Sequence, residues 1–441
     1  MVRTSAPAGP AAYLGPVRVF ITTLGSRGDV QPYVALGAGL QGAGHRVTVS
    51  TAARFSPTVE AQGLDAGPTT DGLLELLDSD VGRGAVESLS GLCTAARKLP
   101  ALLRAAGPLQ HQLIDDSWAA AQRARPDVVV YHPKAYWGPA MAHALGVPVV
   151  LAPLQPFFVP TGAWTAMGFP RLPLGRRYNR LTHRATAALT ALGTERYLRP
   201  WRRAHGVPDR PPGATILDNP RGRPIPVVFG YSPLVVPPPD DWPRHVTVTG
   251  YWTLGASDWT PPPELAAFLD AGPPPVYVGF GSMAGRDPAR TTRAVVDGLG
   301  RAGVRAVLAT GWGGLNAPAL PDSVLAIEGA PHDALFPRCA AVVHHGGAGT
   351  TAAGLRAGRP TVVCPFFGDQ PFWGRRVQAL GVGPAPVPQQ QLTPERLAAS
   401  VREAVTSDEI HQRAERLGRR LRAEDGVGAA VRAVEAAAGA A

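Results

Sequence analysis

The chain contains 441 residues, of which 45% are hydrophobic and 17% are charged. This balance is typical of a soluble globular protein, and the length favours two domains over one compact core. No stretch approaches the roughly 20 uninterrupted apolar residues of a membrane span, and residues 1–16 have no apolar core of a signal peptide. We therefore expect a cytoplasmic protein rather than an integral membrane protein.

The formal net charge is +10, and almost all of the positive charge is arginine, because Lys98 and Lys134 are the only lysines. Together with 51 glycines and 47 prolines, this bias is typical of a GC-rich bacterial genome. The charge favours anionic ligands and anionic membrane surfaces. Its densest cluster, residues 171–223, has no pattern of a nucleic-acid-binding module, so we predict a surface that faces solvent or lipid and no nucleic-acid partner.

The three cysteines, Cys93, Cys339 and Cys364, lie in apolar surroundings and lack the spacing of a metal site. Reduced buried thiols are therefore predicted rather than a disulfide or a zinc site. Redox chemistry is not indicated.

Strand-like apolar runs alternate with helix-compatible stretches in the first half of the chain, which predicts a mostly parallel sheet. Residues 231–275 are rich in proline and tryptophan, and we interpret this path as a connector. The alternation then restarts and ends in an Ala-, Arg- and Glu-rich segment that is predicted to be helical. The strand-like runs are residues 17–23, 45–51, 127–131, 147–152 and 226–231, then 276–280, 304–310, 324–328, 340–344 and 360–364.

These patterns predict an α/β protein of two doubly wound, Rossmann-like domains that face a cleft. The first domain is predicted to span residues 17–250 and to bind an acceptor. Residues 251–275 form the predicted linker, and residues 276–405 form the domain that binds a nucleotide sugar. Residues 406–441 are expected to form helices that pack across the domain junction.

The most informative motif is His-His-Gly-Gly-Ala-Gly-Thr at residues 344–350. The apolar run before it predicts a strand and the residues after it predict a helix, so the glycines form a tight turn. Such a turn aims bare backbone N–H groups and the positive helix end at one point, where a diphosphate could sit. The signal is weak alone, because many Gly-rich turns of this kind only pack tightly.

Asp369 and Gln370 follow the next buried-looking strand, residues 360–364. A carboxylate that only accepts hydrogen bonds, beside an amide that donates and accepts, suits vicinal sugar hydroxyls. In the alternative interpretation, Asp369 caps the helix that carries Phe372 and Trp373. Together with the glycine turn, the pair indicates a nucleotide-sugar site.

Two motifs make the chain resemble the family 1 inverting glycosyltransferases, which have the two-domain GT-B fold. The first is Gly-Ser-Arg-Gly-Asp-Val-Gln-Pro at residues 25–32, and the second is the block at residues 344–370. The resemblance extends from about residue 17 to beyond residue 387. The sequences of the two motifs are most similar to those of sterol glucosyltransferases and of glycopeptide and macrolide natural-product glycosyltransferases. The two motifs are specific for the class and weakly specific for the acceptor.

Asp29 is the predicted general base, the group that removes the proton of the acceptor hydroxyl. It follows the first strand at the edge where doubly wound domains open their ligand crevice, and the resemblance implies an acidic base there. Alternatively, Asp29 caps the helix that starts near Val30. His132 is the second catalytic candidate, because it could orient Asp29 or the acceptor hydroxyl; a structural role at the strand end is its alternative.

On the donor side, the resemblance implies that the ring of His344 contacts the β-phosphate. Asp369 and Gln370 are assigned to the sugar. The helix dipole, His344 and backbone amides would carry the charge of the leaving group, so neither a metal nor a cofactor besides the nucleotide sugar is expected. The residues assigned to the phosphates are Ser282, His344, Gly347, Ala348, Gly349 and Thr350. For Ser282, a structural role in its turn is the alternative.

The nucleobase pocket is assigned to Trp312, Pro331 and His332. Plant relatives stack a tryptophan on the base where this chain has Gly-Ala-Pro-His at residues 329–332, and Trp312 has a purely structural alternative. Ala352 stands where many relatives have a glutamate that binds both ribose hydroxyls. This leaves a TDP-sugar open as donor, although sterol-type relatives also lack the glutamate and UDP is the first prediction.

The acceptor wall is predicted in the loop at residues 155–164, where apolar residues crowd into a Pro- and Gly-rich segment. A loop folded onto its own core is the alternative. Together with the arginine-rich segment that follows, the loop predicts a large lipophilic acceptor, met in solution or at the inner face of a membrane. The residues assigned to the acceptor are Arg27, Phe157, Phe158 and Trp164.

The predicted function is metal-independent, inverting transfer of a sugar, first of all glucose, from a UDP-sugar to a sterol, triterpenoid, polyketide or macrolide hydroxyl. Transfer of a deoxysugar from a TDP-sugar, in the biosynthesis of an antibiotic or another natural product, is the alternative. A nucleotide-sugar epimerase would not need the acceptor loop, and a sugar-binding pseudoenzyme would not need Asp29, His344, Asp369 and Gln370 together. The protein is expected to be a monomer or a weak homodimer.

Overall fold

The computed structural model describes residues 15–78, 92–211, 213–255, 259–281, 288–311 and 320–439. These residues form two α/β domains, each built on a parallel sheet. The strands of the first sheet are β1 (Arg18–Thr22), β2 (Arg46–Ala52), β3 (Asp65–Thr69), β4 (Val128–Tyr131), β5 (Val149–Leu151), β6 (Val227–Phe229) and β7 (Val246–Val248). Those of the second are β8 (Val276–Gly279), β9 (Ala306–Ala309), β10 (Val324–Ile327), β11 (Ala341–His344) and β12 (Thr361–Val363).

The first sheet has the strand order β3-β2-β1-β4-β5-β6-β7, and the second has the order β10-β9-β8-β11-β12. In each sheet the order reverses beside the first strand in sequence, between β1 and β4 and between β8 and β11. Such a reversal opens a crevice at the carboxyl ends of the strands, where doubly wound sheets bind their ligands. The predicted fold class, two doubly wound α/β domains, is confirmed.

Helices cover both sheets. The helices of the first domain are α1 (Arg27–Gly42), α2 (Ser56–Glu60), α3 (Gly72–Asp78), α4 (Leu92–Ala124), α5 (Gly138–Leu145) and α6 (Gly175–Ala204). The helices that follow are α7 (Pro263–Asp270), α8 (Pro288–Ala302), α9 (His332–Leu335), α10 (Ala348–Ala357), α11 (Gln370–Ala379), α12 (Pro394–Thr406), α13 (Asp408–Arg422) and α14 (Gly426–Gly439). Among the described residues, no helix is both long enough and apolar enough to cross a membrane.

The central strands are short and almost wholly apolar because helices cover both of their faces. All residues of β4, β8, β9 and β11 are buried. Two buried thiols, Cys339 and Cys364, lie in the second domain, and burial raises the pKa of each to about 12. The side chain of Cys93 lies outside the described part of the chain.

The last three helices pack on helices and strands that precede them in the chain. Helix α12 packs on α8 and α13 packs on α10, whereas α14 packs on α1 and on the strands β4 and β5 of the first domain. Glycines permit two of these close approaches. A Cβ atom at Gly418 would lie 2.6 Å from the Cα of Gly358, and one at Gly426 would lie 2.5 Å from the carbonyl oxygen of Tyr251.

Three elements differ from the pattern read along the sequence. Strand β3 has the sequence Asp-Ala-Gly-Pro-Thr, which carries no strand signature, and it forms because it pairs in parallel with β2. Strand β7 lies in the Pro- and Trp-rich path and pairs with β6. Helix α7 lies within the predicted linker and buries Leu265 and Leu269 against the second domain.

Candidate active site

The two crevices face each other across one cleft. The first turn of α1 meets the first turn of α10, where a Cβ atom at Gly349 would lie 4.0 Å from the Cα of Gly28. A second contact between the domains joins the side chain of Arg376 to the carbonyl oxygen of Val235, with an N–O distance of 2.9 Å from Nε. The motifs at residues 25–32 and 344–370 therefore line opposite walls of the same cleft.

Asp29 lies in the first turn of α1, and 8% of the residue is exposed. Its Oδ2 atom accepts a hydrogen bond from the backbone N–H of Ser26 at 3.0 Å, and the Ser26 hydroxyl lies at 3.2 Å. Asp29 thus takes part in the capping box of its helix as the N3 residue, and the N-cap residue is Ser26. The alternative interpretation instead places Asp29 itself at the cap of a helix that starts near Val30. Its Oδ1 atom points to other partners, so the capping contact leaves one carboxylate oxygen for chemistry.

The two partners of Oδ1 come from the loop after β4. The Nζ atom of Lys134 lies 2.8 Å from Oδ1, and the Nε2 atom of His132 lies 3.6 Å from it. The backbone N–H of Lys134 donates to Nδ1 of His132 at 3.1 Å, which assigns the proton of a neutral ring to Nε2. His132 is 1% exposed, and burial lowers its pKa to about 3. It is therefore a neutral donor facing Asp29 near neutral pH.

The charge of Asp29 is set by opposing effects. Burial acts to raise the pKa of its carboxyl group, but the Lys134 ammonium, His132 and the hydrogen bonds outweigh it, and the pKa lies below 3.8. Gly25 permits this arrangement, since its φ is +137° and a Cβ atom there would lie 2.2 Å from Oδ2 of Asp29. The carboxylate is ionised and held in place before any ligand binds.

His344 ends β11 and is fully buried. Its Nδ1 atom accepts a hydrogen bond from the backbone N–H of Gly346 at 2.8 Å, so the ring proton lies on Nε2. That Nε2 atom has no hydrogen-bond partner among the described residues. Burial lowers the pKa of His344 well below 6.5, and His345 and His332 lower it further. A buried donor without a partner is costly, which makes this atom a place where a ligand oxygen would be stabilised.

His345 and His332 are partly buried and complete a group of neutral rings. Desolvation lowers the pKa of each to about 4, and for His332 the charge of Arg27 acts in the same direction. Gly347 has room for no side chain, because a Cβ atom there would lie 2.5 Å from Nε2 of His345. Arg27, assigned to the acceptor, is the first residue of α1, whose first turn meets the first turn of α10.

The cradle predicted for the phosphates is the first turn of α10. Gly347 is the N-cap residue, and Ala348, Gly349 and Thr350 form the first turn, whose backbone N–H groups have no partner within the helix. Gly346 has a φ of +92°, which lets the chain turn sharply from strand to helix. Ser282, the remaining residue assigned to the phosphates, lies outside the described part of the chain.

Asp369 is the N-cap residue of α11, but its side chain makes no capping hydrogen bond. Its Oδ2 atom accepts a hydrogen bond from the indole N–H of Trp373 at 2.7 Å. Burial raises the pKa of Asp369, and the nearby charges of Asp29 and Lys134 act on it with opposite signs.

Gln370 is 5% exposed and uses its carbonyl oxygen within its own loop. The Oε1 atom accepts hydrogen bonds from the backbone N–H groups of Phe366 at 2.7 Å and Phe367 at 3.3 Å. This orientation assigns the amide nitrogen to any ligand contact, so Gln370 would donate to a hydroxyl rather than accept from it.

Aromatic side chains of the loop at residues 155–164 meet the start of α11. The rings of Phe157 and Phe372 meet edge to face with centroids 4.9 Å apart, and Trp164 contacts Phe372 with centroids 6.0 Å apart. The indole N–H of Trp164 donates to the carbonyl oxygen of Pro156 at 3.1 Å. Phe157, Phe158 and Trp164 remain partly exposed. The loop assigned to the acceptor thus reaches α11, which starts at Gln370.

Two of the three residues assigned to the nucleobase, Pro331 and His332, lie in the described part of the chain. Pro331 is the N-cap residue of α9, and the ring of His332 stacks on Phe336 with centroids 4.4 Å apart. Trp312 lies outside the described part of the chain. Ala352 is buried in α10, where it packs in a hydrophobic cluster with Leu355 and Trp373.

Sequence reasoning did not assign roles to two residues of the cleft. Lys134 was visible beside His132 as one of the two lysines of an arginine-rich chain, but its ion pair with Asp29 spans 105 positions of sequence. Phe372 was visible only as part of a helix. Within the described residues, no group of three or more His, Cys, Asp and Glu side chains could hold a metal ion.

Comparison with known families assigns a match to each domain. Residues 19–161 match the glycosyltransferase family 28 N-terminal domain, and residues 302–427 match the C-terminal domain of the erythromycin biosynthesis protein CIII-like family. The first match contains Asp29 and His132, and the second contains His344 and Asp369.

Curated relatives align over nearly the whole chain. Sterol 3-beta-glucosyltransferases of Aspergillus terreus and Arabidopsis thaliana are 38% and 36% identical over 432 and 435 residues. The alignments cover 95% and 96% of this chain. They cover 30% of the Aspergillus protein and 66% of the Arabidopsis protein, so the chain spans less than two thirds of either relative.

Solved structures share the fold. The glycotransferase of kitacinnamycin superposes with a TM-score of 0.69 at 23% identity, covering 95% of this chain and 97% of its own. The glycosyltransferase VinC, in complex with dTDP, superposes with a TM-score of 0.66 at 21% identity, covering 96% and 100%. Two parallel-sheet domains and these superpositions show the GT-B fold. The match on each domain, together with the curated relatives, is that of a glycosyltransferase, consistent with family 1.

Proposed function

We propose that this protein transfers a sugar from a nucleoside diphosphate sugar to a hydroxyl group of a lipophilic acceptor, with inversion at the anomeric carbon. One observation carries the proposal. A preorganised carboxylate, Asp29, and an unsatisfied buried donor, Nε2 of His344, lie on opposite walls of one cleft. The first group suits proton removal from an acceptor, and the second suits an anionic leaving group.

The proposed reaction proceeds in one displacement. The acceptor hydroxyl approaches Oδ1 of Asp29 and takes the place of the Lys134 ammonium there. Its oxygen forms a bond to the anomeric carbon while the bond from that carbon to the diphosphate oxygen breaks. The hydroxyl proton passes to Asp29, and the bonding electron pair leaves with the diphosphate. The Nε2–H group of His132 faces Oδ1 at 3.6 Å, and we propose that it donates to the carboxylate or to the acceptor hydroxyl once the acceptor is bound.

On the leaving-group side, the charge that develops would be met by Nε2–H of His344 and by the first-turn amides of α10. We propose that these groups act without a metal ion and that no resident cofactor is needed. Transfer is then expected to be unchanged by a chelator such as EDTA. Loss of activity on chelation, restored by Mg²⁺ or Mn²⁺, would contradict this part of the proposal.

For the substrates, the first candidates are UDP-glucose and a sterol or triterpenoid alcohol. Support comes from the sterol 3-beta-glucosyltransferases that align over nearly the whole chain, and from the aromatic wall of Phe157, Trp164 and Phe372. A TDP-sugar and a polyketide or macrolide aglycone form the second candidate pair. It is supported by the family match of the second domain and by the structural similarity to VinC, whose structure contains dTDP.

We also propose a cytoplasmic location and a monomer or weak homodimer. A net charge of +10 disfavours close self-association at low ionic strength. Sedimentation velocity over a range of protein and salt concentrations tests the oligomeric state. A stable dimer at nanomolar concentration would contradict it.

The central experiment has two stages. The first is a thermal-shift titration of the purified protein with UDP, TDP, GDP and ADP, because a ligand of the native state raises apparent stability with its affinity and concentration. The second adds the preferred nucleotide sugar to sterols, triterpenoid alcohols and macrolide aglycones and detects glycosylated products by mass spectrometry. A selective shift and an inverted glycoside are expected. No shift with any nucleotide would contradict the donor site, and conversion of the sugar without an acceptor would favour an epimerase.

A further inference from the structure

One segment contains every large hydrophobic side chain that is exposed in the described part of the chain. It comprises the residues just before α6 and the first two thirds of that helix. The exposed fractions range from 47% to 74%, although such side chains are elsewhere buried in the cores. The residues are Met167, Leu172, Leu174, Leu181, Leu189 and Leu192.

The leucines of α6 share one face of the helix. At about 100° of rotation per residue, Leu192 lies roughly 20° and Leu189 roughly 80° from Leu181 around the axis. Arg177 and Arg184 lie on the same side, and both are exposed. The opposite side is buried and carries His183, Tyr197 and Trp201 among other residues. The helix is therefore two-sided, with leucine and arginine mixed on its outer face.

The charge of this segment is strongly one-sided. Residues 167–204 contain nine arginines and one acidic residue, Glu195. That carboxylate is already paired, because it accepts a hydrogen bond from Arg202 at 3.1 Å. We call the exposed leucines, Met167 and exposed arginines of residues 167–204 the α6 surface.

Helix α13 shows what an ordinary arginine-rich helix of this chain looks like. It buries its apolar residues, Ile410 and Leu417 among them, and exposes charges of both signs. Its arginines pair with acidic residues one turn away, as in Arg413 with Glu409 and Arg419 with Glu415. An arginine-rich composition therefore does not by itself place leucines outward, and the α6 surface needs another explanation.

The inner face of α6 supports the acceptor wall. The amide nitrogen of Asn179 donates to the carbonyl oxygen of Gly162 at 2.8 Å, and the Thr182 hydroxyl accepts from the backbone N–H of Ala166 at 2.9 Å. The Nε2 atom of His183 lies 3.1 Å from the carbonyl oxygen of Trp164. One helix thus carries the α6 surface on one side and holds the aromatic loop on the other.

We propose that the α6 surface docks on an anionic phospholipid membrane. A helix that mixes leucine with arginine on one face lies in the plane of the interface, with its apolar side chains at the boundary of headgroups and acyl chains. Arg177 and Arg184 on the leucine side contact lipid phosphates. Arg176 and Arg180 instead pair with Asp241, which lies outside the segment. The segment's own excess of arginine over acidic residues matches a negative surface. A lipophilic acceptor then reaches the cleft from the bilayer along the loop that α6 supports; this last step rests on the proposed function, whereas docking does not.

The test is co-sedimentation of the full-length protein with vesicles of phosphatidylglycerol and phosphatidylcholine, compared with vesicles of phosphatidylcholine alone. Binding to the anionic vesicles is expected, together with weakening as NaCl rises. The variant Leu181→Ser/Leu189→Ser/Leu192→Ser and the variant Arg177→Gln/Arg184→Gln are each expected to bind roughly tenfold more weakly or worse. The matched control Arg416→Gln/Arg419→Gln on α13 removes the same charge and is expected to bind as the unaltered protein does.

Three results would overturn the docking proposal. They are no binding of the unaltered protein to anionic vesicles, equal loss in the α13 control, and a leucine variant that binds normally while it loses self-association in sedimentation velocity. The last result would identify the α6 surface as an interface between two copies of the chain. Binding of RNA in preference to vesicles, lost in the arginine variant, would identify a nucleic-acid surface instead.

Failure of docking and failure of the proposed function are separable. The nucleotide thermal shift of the leucine variant reports on folding and on the donor site, and it is expected to match that of the unaltered protein. With the acceptor dissolved in detergent, the leucine variant is expected to transfer sugar normally, whereas with the acceptor in anionic vesicles its rate falls roughly tenfold. Vesicle binding without any transfer would contradict the proposed function and leave docking intact.

Discussion

The two walls of the cleft differ in how far the chain satisfies their polar groups. On the first wall, both oxygens of Asp29 have hydrogen-bond partners from the same domain, namely Ser26 on one oxygen and Lys134 on the other. Nε2 of His132 lies 3.6 Å from the carboxylate and has no hydrogen-bond partner among the described residues. On the second wall, Nε2 of His344 has no partner among the described residues, and neither has Nδ1 of His345. The charge of the Asp29 carboxylate is therefore balanced within its own domain without a ligand, whereas on the second wall the ring nitrogens themselves lack partners in the described part of the chain.

This difference separates two tasks. A general base must be charged and oriented before the acceptor arrives, and a cation close to a buried carboxylate keeps it charged. A site for a diphosphate must instead offer hydrogen-bond donors that have no partner within the protein. The difference therefore supports the proposal that the first wall performs proton transfer and that the second binds an anion.

The largest effect is expected from Asp29→Asn, which removes the base but preserves the shape of the side chain. The rate constant kcat is expected to fall by roughly 10² to 10⁴, the range contributed by a positioned acid or base. The thermal shift with UDP should be unchanged, because the donor wall is intact. Asp127→Asn is the matched control, since Asp127 pairs with Arg18 at the opposite end of the strands. Full activity of Asp29→Asn would contradict the assignment of the base.

A second large effect is expected from His344→Gln on the donor wall. Removing a donor aimed at developing charge lowers kcat by roughly 10² to 10³ in comparable sites. The thermal shift with UDP should decrease while that with uridine is kept, because only the diphosphate loses a contact. The control is His143→Gln, in the last turn of α5. Equal losses for UDP and uridine would show that His344 shapes the domain rather than binding phosphate.

The smallest effect is expected from Lys134→Met, which removes the cation beside Asp29. The pKa of Asp29 is held below 3.8 in the folded protein, so its ionisation stabilises the fold above that pH, and this stability is lost on acidification through the folded pKa. Without Lys134, burial dominates and raises the pKa. The acid limb of kcat/KM and the midpoint of acid unfolding should therefore both move to higher pH.

Lys134→Arg retains a cation and serves as the control, with a smaller displacement of both curves expected. Both are measured as pH profiles, of transfer and of circular dichroism. An unchanged acid limb in Lys134→Met would show that the ion pair does not control the ionisation of Asp29. It would leave the assignment of the base itself to the Asp29→Asn experiment.

Much of the fold could be predicted because its signals are local. Parallel strands buried on both faces appear as short apolar runs, and each central strand of the two sheets lies within such a run or extends one residue beyond it. Strand β3 could not be predicted in this way, because Asp-Ala-Gly-Pro-Thr becomes a strand only by pairing with β2. Within the connector at residues 231–275, β7 and α7 likewise form because they pack on other segments, β7 on β6 and α7 on the second domain, and the composition of the connector does not predict them.

The candidate site was predictable as a set of residues but not as a network. Asp29, His344, Asp369 and Gln370 stand in motifs that a single sequence displays, and their functional roles stay predictions. Their partners do not follow from spacing. Trp373 binds the carboxylate of Asp369, and the carbonyl oxygen of Gln370 is used by its own loop, which decides which atoms remain for a sugar.

The sequence by itself determined the class of the fold, the order of its elements and the motifs that mark the cleft. These depend on periodicity and on glycine turns, which act over a few residues. Only the tertiary structure decided that Lys134 neutralises Asp29 across 105 positions, that Phe157 meets Phe372, and that the leucines of α6 face outward. Such contacts depend on which distant segments the two sheets and their helices bring together, and no local pattern encodes that distance.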